Sequence, residues 1–401
     1  MENPQTRALS FTSLAHFVND GNYFLFPVLI PYYEKIPQSS LIGLGSVAII
    51  YNLINGFLST PVGRLADRID RDSLLIFTGL FLNAVSVVLF ALPFIYHDFL
   101  YEFVLIGAII LGIGQSIYHP VGGSILSFVN SREKASSSMG INQAFGSLGR
   151  AVTPYMISAV IALIGEFSGL GIFAIYMFLA SVVTFAGLHF FSRRNFRRSE
   201  SSKEKIEDVK PFSHYAFFVY LLTASVFIRS MFMLGVNTYI PTFMTDIYHS
   251  ETVMSYVLSS GLVVSVAGGP LFGKITSLKG GKFTILLTSG LSLVFFLAFL
   301  LTTNIIYTGI AYAVFALSAF TGFPVLLGYV NFVVPREYST TSNALVWGLG
   351  STVGGAAGIG AIVLLLIYLP LRLSLWVMLI FGALSFILMI FLPSKEKVGK
   401  F

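Results

Sequence analysis

The chain has 401 residues, of which 55% are hydrophobic and 10% are charged, with a formal net charge of +6 and a mean hydropathy of +0.83. So little charge excludes a soluble globular protein of this size. Long continuous apolar runs exclude an outer-membrane barrel, in whose strands polar and apolar residues alternate. The composition therefore predicts an all-α membrane protein.

Twelve apolar segments are long enough to cross a bilayer, because about 20 residues at about 1.5 Å each span the hydrocarbon layer. One long polar segment, Ser192–Lys210, separates two sets of six, so we expect two six-helix bundles, residues 1–192 and 212–401, joined by a cytoplasmic linker at 193–211. In chain order, the predicted spans 1 to 12 cover residues 8–33, 41–62, 73–95, 100–128, 136–162, 168–191, 212–244, 252–273, 283–302, 305–333, 340–368 and 372–392.

The basic residues are distributed very unevenly. Of the 24 Lys and Arg residues, 20 fall in segments that are cytoplasmic if the N-terminus is inside, and only Lys35 and Arg372 fall in outside loops. The positive-inside rule then places both termini in the cytoplasm. The net positive charge is thus a topology signal, and nucleic acid is not an expected partner. The other two cations, Arg150 and Arg229, lie within predicted spans.

Span 1 contains a carboxylate far from either membrane surface. His16, Asn19 and Asp20 share one helical face at i, i+3 and i+4, and Asp20 lies about 18 Å into a hydrocarbon layer of about 30 Å. A carboxylate at that depth costs at least about 2.5 kcal/mol unless it faces water or a partner. It is either a structural polar contact between helices or a proton or substrate site in an internal cavity, and we favour the second.

The two halves of the chain repeat each other. Gly63 begins a polar loop motif after span 2, and Gly273 begins a similar one after span 8, 210 residues later. Pro31 and Pro241 have the same offset. Two parallel repeats of six spans are typical of a transporter whose site lies near the bilayer midplane, at the interface of the repeats.

The loop after span 2 resembles the G-x-x-x-D-R-x-G-R-K signature of the major facilitator superfamily, and the likeness extends over essentially the whole chain. Asp70 stands where the signature has its second glycine, which puts the tight turn there in question. The resemblance implies twelve transmembrane helices in two pseudo-symmetric bundles. It also implies an inner gate, which the matching loop residues would latch together with Glu133. The matching residues are Gly63, Asp67, Arg68 and Arg71.

A narrower resemblance is to the fosmidomycin-resistance branch of that superfamily, which exports small compounds in exchange for protons. It is carried by His16-Phe17-Val18-Asn19-Asp20 in span 1 and Tyr118-His119-Pro120 in span 4. Span 5 is similar to the antiporter signature of that helix, with Gly140, Gly149 and Thr153-Pro154. The resemblance implies proton exchange.

The ionisable residues avoid the spans that face lipid in the superfamily fold. Spans 3, 9 and 12 carry none in their hydrocarbon stretch, and span 6 has only His189, near its inner end. Asp20, His119, Arg150 and Arg229 fall on spans 1, 4, 5 and 7, which the resemblance places in or beside the central cavity.

The chemistry of these groups suggests roles. Asp20 is the only acid at membrane depth and is the predicted proton carrier, with His16 and His119 as partners in proton transfer. Arg150 and Arg229 keep their protons, so each needs an acid, carbonyl groups or an anionic substrate, and a purely structural ion pair is the alternative. Two cations against one acid favour an anionic group on the substrate. The other predicted substrate-binding residues are Asn19, Gln115, Gln143, Asn237, Tyr239, Asn343 and Trp347.

These patterns predict a secondary active transporter that works by alternating access: a proton-coupled antiporter that exports a small organic compound or drug. The alternative is a proton symporter or anion exchanger that imports a small metabolite. The chain has no HExxH, paired-carboxylate, Ser-His-Asp or Walker motif, which argues against an enzyme or an ATP-driven pump. We expect no cofactor or metal, and a monomer in the plasma membrane whose partners are substrate, protons and lipid.

Overall fold

The computed structural model describes residues 3–130, 132–192, 211–335, 338, 342–343 and 345–393. Within these ranges it does not describe the side chains of residues 132–136, 321–324, 326–328 and 331–333. The regular elements of the described chain are all helices. They fall into two compact units, Met1–Ser199 with Met244–Ser259, and Glu200–Phe243 with Ser260–Phe401.

The first unit is built on seven helices of the described chain. Helix α1 packs against α5, α6 and α7, while α3 packs on α5 and α4 packs on α5 and α7. A single 3-10 turn at Asn22–Phe24 joins α1 to α2, so these two helices together form the predicted span 1. The helices are α1 Pro4–Gly21, α2 Leu25–Tyr33, α3 Leu41–Ile69, α4 Asp72–Ala91, α5 Leu100–Val129, α6 Arg132–Ile164 and α7 Glu166–Leu188.

Small residues bring α1 and α6 into backbone contact. A Cβ atom at Gly149 of α6 would overlap the carbonyl oxygen of Phe17, and one at Gly21 of α1 would overlap the Thr153 hydroxyl. Small residues at such positions let transmembrane helices approach closely. Of the antiporter-like residues of span 5, Gly149 and Thr153 therefore form the packing surface of α6 against α1.

The segment Met244–Ser259 is attached to the ends of α2 and α6. Lys35 Nζ lies 2.6 Å from Glu251 Oε1, and the backbone N–H of Tyr155 donates to Ser259 Oγ at 3.0 Å. The Tyr155 ring also packs against Tyr256, with 5.0 Å between the ring centroids. These contacts are polar and aromatic.

The second unit contains the remaining helices of the described chain, except for Met244–Ser259, which is the end of one helix and the start of the next and belongs to the first unit. Helix α8 approaches α13 closely, because a Cβ atom at Gly358 would overlap the carbonyl oxygen of Met231. Buried Val226, Ile285 and Met389 join α8, α11 and α14 in one apolar core. The helices are α8 Phe212–Tyr248, α9 Glu251–Val266, α10 Gly268–Lys279, α11 Gly281–Leu301, α12 Ile305–Val333, α13 Gly354–Leu365 and α14 Leu371–Ile390, with a π-helix at Leu345–Val353 before α13.

Ten helical stretches of the described chain are long and apolar enough to cross a membrane, and Ile305–Phe320 is a shorter apolar helix. The α1–α2 pair adds the segment predicted as span 1, which the turn at Asn22–Phe24 divides into two shorter helices. The helices therefore follow the predicted spans in order. Most of the predicted linker, 193–210, lies outside the described residues.

The turn after α3 forms with an aspartate in place of the glycine. Asp70 adopts a left-handed conformation, with φ +48° and ψ +44°, and its Oδ2 accepts a hydrogen bond of 2.7 Å from Ser192 Oγ. Aspartate tolerates this region better than most residues because its short side chain can form local hydrogen bonds. The substitution is thus compatible with the tight turn.

Gly149→Ala tests the close contact of α1 and α6. Because the added methyl group would overlap the Phe17 carbonyl, we expect a loss of about 1–3 kcal/mol of stability, the usual effect of overpacking. The loss of stability is measured as the midpoint of thermal unfolding in detergent, with gel filtration of heated samples as the readout. Gly140→Ala on the same helix is the matched control, because no atom lies within 4 Å of its added Cβ. Equal midpoints for the two variants would contradict the packing described.

Candidate functional site

The site is centred on the carboxylate of Asp20, in the last turn of α1. The helix ends one residue later, where Asn22 Nδ2 donates to the carbonyl of Val18 at 3.0 Å and the chain enters the 3-10 turn. A side-chain amide that bonds to the preceding turn competes with helix continuation. Asp20 is therefore held at a break in the middle of a membrane span, and its side chain is only 4% exposed.

Three groups that carry or can accept a proton surround this carboxylate. Arg150 Nη1 donates to Asp20 Oδ2, His16 Nε2 lies 3.2 Å from Oδ2, and His119 Nε2 lies 3.2 Å from Oδ1. An ionised carboxylate only accepts hydrogen bonds, so the two ring nitrogens must carry hydrogens for these contacts to be attractive. The number of protons on the cluster thus determines how strongly its members hold each other.

The exposure of the cluster is graded. The side chains of His16 and Asp20 are 3% and 4% exposed, that of Arg150 is 15% exposed, and that of His119 is 48% exposed. His119 therefore contacts both the surface and the buried carboxylate. An imidazole in that position offers a route for protons into an otherwise closed site.

A second layer of residues fixes the His16 ring. Its Nδ1 is 2.7 Å from Asn142 Oδ1, and the Tyr118 hydroxyl, with its single hydrogen, lies between two acceptors, Asn142 Oδ1 at 3.0 Å and the Thr12 carbonyl at 2.8 Å. The ring packs directly on Gly146, where any side chain would overlap it. His16 is thus positioned from three helices, α1, α5 and α6.

Asn142 and Tyr118 were not among the site residues expected from the sequence. Tyr118 lies in the quoted span 4 motif, and Asn142 directly precedes the expected Gln143, which is exposed. Asn142, Gly146 and Gly149 are spaced at i, i+4 and i+7 and so share one face of α6. The two glycines mark that face as a packing surface, which could have pointed to Asn142. Arg150 is instead steadied by Ser147, whose Oγ accepts from its Nη2 at 2.9 Å.

Two other expected residues of the first unit lie beside the cluster. Asn19 Nδ2 donates to Asp20 Oδ1 at 3.2 Å, and Asn19 Oδ1 accepts from Asn83 Nδ2 at 3.5 Å. Gln115 is buried on α5, one turn before His119. The structure therefore brings together the predicted residues His16, Asn19, Asp20, His119 and Arg150.

The residues expected in the second half lie in the second unit. Arg229 is buried on α8 and its Nη2 donates to the Ala319 carbonyl of α12 at 3.0 Å. Asn237 and Tyr239 are buried further along α8, and Asn237 Nδ2 donates to the carbonyl of its own helix at Met233. Asn343 is partly buried, and Trp347, in the π-helix, is 40% exposed.

Apart from Glu133, which is on α6, the predicted gate residues lie in the last turns of α3 or just after it. Gly63 approaches Pro120 of α5, which a Cβ atom there would meet at 3.5 Å. Asp67, Arg68 and Arg71 are exposed. The side chain of Glu133 is outside the described residues, so its expected pairing stays a prediction.

His16, Asp20 and His119 are also a donor set of the kind that divalent cations use. Their nitrogen and oxygen atoms all lie within 4.8 Å of one another. Arg150, however, already donates to the same carboxylate, and a fixed guanidinium repels a second cation. The arrangement suits a proton better than a divalent metal, and we assign no metal to it.

Comparison with known proteins places this site in a known architecture. The sequence profile of the Major Facilitator Superfamily matches residues 12–359. No curated protein sequence matches the chain. Among solved structures, 304 chains are similar in fold, which confirms the predicted twelve-helix architecture.

Three of these structures illustrate the likeness. Two are inward-facing structures of a bacterial homologue of the human lysosomal transporter Spinster, both at 12% identity. The occupied form has a TM-score of 0.76, with 97% of each chain covered. The unoccupied form has a TM-score of 0.77, with 100% of this chain and 98% of that chain covered. The third is the peptide transporter POT in complex with sulfate, with a TM-score of 0.74, 16% identity, and 98% of this chain and 95% of that one covered. At these identities the likeness shows the fold.

Asp20→Asn tests the ion pair at the centre of the site. It leaves the Arg150 guanidinium without its partner carboxylate, and an uncompensated buried charge should cost on the order of 3 kcal/mol of stability. The double variant Asp20→Asn/Arg150→Gln removes both charges and should recover most of that loss. The midpoints of thermal unfolding in detergent give the comparison.

The pair of Lys35 and Glu251 is the matched control. The Lys35 side chain is 58% exposed and that of Glu251 is 18% exposed, so Lys35→Gln should shift the midpoint little, because pairs with an exposed partner contribute about 0–1 kcal/mol. A double variant at the centre no more stable than Asp20→Asn alone would refute the ion-pair interpretation.

Proposed function

Because this chain belongs to the Major Facilitator Superfamily, we propose that it is a proton-coupled antiporter that exports a small organic compound or drug across the plasma membrane. The family and the fold make it a multi-pass membrane protein and a secondary transporter rather than an enzyme. The coupling ion, the direction of exchange and the likeness to the fosmidomycin-resistance branch are parts of the proposal.

A single observation supports proton coupling: a buried carboxylate in contact with a half-exposed imidazole. A proton that reaches His119 from water is 3.2 Å from Asp20 Oδ1 and needs no further carrier. The buried His16 ring contacts the other carboxylate oxygen, Oδ2, and Asn142 fixes the orientation of that ring. The same contacts allow the proton to leave by the route it entered.

Protonation of Asp20 would change the forces within the first unit. Neutral Asp20 no longer attracts Arg150, whose guanidinium keeps its charge at every physiological pH. The charge attraction between α1 and α6 is then lost, while their backbone packing remains. A conformational equilibrium shifts only as far as the two states differ in such interactions, and this ion pair supplies a difference of the right kind.

Exchange, rather than cotransport, follows if substrate and proton compete for the same carboxylate. A compound whose hydroxyl or ammonium group donates to Asp20 requires the ionised form, and a bound proton removes that acceptor. Binding of one would therefore release the other. A symporter would need both bound together, which this single acceptor favours less.

The test is transport by the purified protein in liposomes. A screen of small organic compounds by thermal shift at two pH values first identifies a ligand. With an imposed pH gradient of either sign, wild-type protein should move that ligand against the proton flux, recorded by a pH dye inside the vesicles. Asp20→Asn should abolish the proton flux, because an amide cannot ionise.

Asp98→Asn is the control for this experiment, because Asp98 is exposed and lies outside the cluster. It should leave exchange unchanged. Movement of ligand and protons in the same direction would replace antiport by symport, and proton flux of wild-type size in Asp20→Asn would remove Asp20 from the mechanism.

A further inference from the structure

Arg229 is a cation at membrane depth in the second unit. It is 5% exposed and lies near the middle of α8, a helix of 37 residues. At about 1.5 Å per residue, its Cα is roughly 25 Å from the start of the helix. A charge at this depth is costly unless something compensates it.

The hydrogen bonds of Arg229 do not compensate this charge. A guanidinium has five N–H donors. Within the described chain, one of its nitrogens, Nη2, donates to a neutral carbonyl, that of Ala319, and the buried Nε has no hydrogen-bond partner. A backbone carbonyl satisfies a donor but carries no net charge.

The second unit also offers no acid inside the membrane. Its described residues include no Asp or Glu side chain, and the acids in its sequence fall in the linker, one loop and the C-terminal tail. Arg150 in the first unit, by contrast, has Asp20 as its partner. The acids of the second unit are Glu200, Glu204, Glu207, Asp208, Glu337 and Glu396.

We propose that Arg229 is the binding residue for an anionic group of the transported compound, and that this group is an oxyanion such as a carboxylate, sulfonate or phosphonate. The inference rests on the proposed transport function and adds a substrate class to it. Oxyanions fit because guanidinium hydrogens can donate to two oxygens of one group, and charge-assisted bonds of this kind are the strong ones. The unpartnered Nε is then one of the donors.

A binding experiment with the full-length protein in detergent tests this assignment. The probes are benzoate, benzenesulfonate and phenylphosphonate, with neutral benzamide and cationic benzylammonium as size-matched comparisons. We expect at least one anion, and neither comparison compound, to raise the unfolding midpoint and to bind in calorimetry. Arg229→Gln should weaken that binding at least about 30-fold, as when one partner of a buried charge pair is truncated.

Two further variants distinguish a ligand-binding role of Arg229 from a purely structural one. Arg372→Gln removes an exposed arginine of the same unit and should leave anion affinity unchanged. Arg229→Met replaces the guanidinium with an apolar chain of similar length. It should raise the unfolding midpoint of the ligand-free protein, because it removes a buried charge that has no acid among the described residues of its own unit. A structural arginine with a fixed partner would give a lower midpoint instead.

The outcomes distinguish this inference from the proposed function. Anion affinity equal in wild type and Arg229→Gln, or binding of the cation alone, would overturn the anion assignment. If the compound that binds still drives Asp20-dependent proton flux in liposomes, proton exchange stands and only the substrate class is wrong. If no ligand drives proton flux, the proposed function fails while an anion site at Arg229 can still be measured by calorimetry.

Discussion

The central physical constraint in this protein is one carboxylate, Asp20, buried at a break in a membrane helix and held by a guanidinium that cannot lose its proton. The ionised acid is paired with Arg150 and lies 3.2 Å from a ring nitrogen of each of His16 and His119, and the protonated acid loses the charge attraction of the guanidinium. A group with two such different sets of interactions is suited to driving a change of conformation. The other features of the first unit place this group and bring it into contact with His119, the most exposed member of the cluster.

The packing of α1 on α6 makes the cluster possible. Gly146 and Gly149 let the backbones approach so closely that the His16 ring packs against α6 at Gly146 and Arg150 reaches Asp20 from the same helix. The 3-10 turn after Gly21 ends α1 where the carboxylate must be presented. The polar network through Asn142 and Tyr118 then fixes the ring. The close packing of α1 on α6, the end of α1 and the hydrogen bonds of Asn142 and Tyr118 therefore together position Asp20 and His16.

Much of this could be predicted from the sequence, for identifiable reasons. Apolar run lengths gave the helices, and the i, i+4 spacing placed His16 and Asp20 on one face. The pairing of Asp20 with Arg150 could not be predicted, because 130 residues separate them and Arg229 was an equal candidate. Neighbouring residues of a helix point about 100° apart, so choosing Gln143 instead of Asn142 moved the expected contact off the face that packs on α1. The turn at Asp70 formed because its side chain tolerates a left-handed backbone.

Infrared difference spectroscopy of the full-length protein across a pH titration tests the central claim most directly, because it reports carboxyl protonation without requiring a known substrate. Acidification should increase the carboxylic-acid absorption of the wild-type protein, and one component of that increase should be missing from Asp20→Asn and retained in Asp98→Asn. A titration of Asp20→Asn identical to that of wild type would show that this carboxyl does not exchange protons, and would contradict the account.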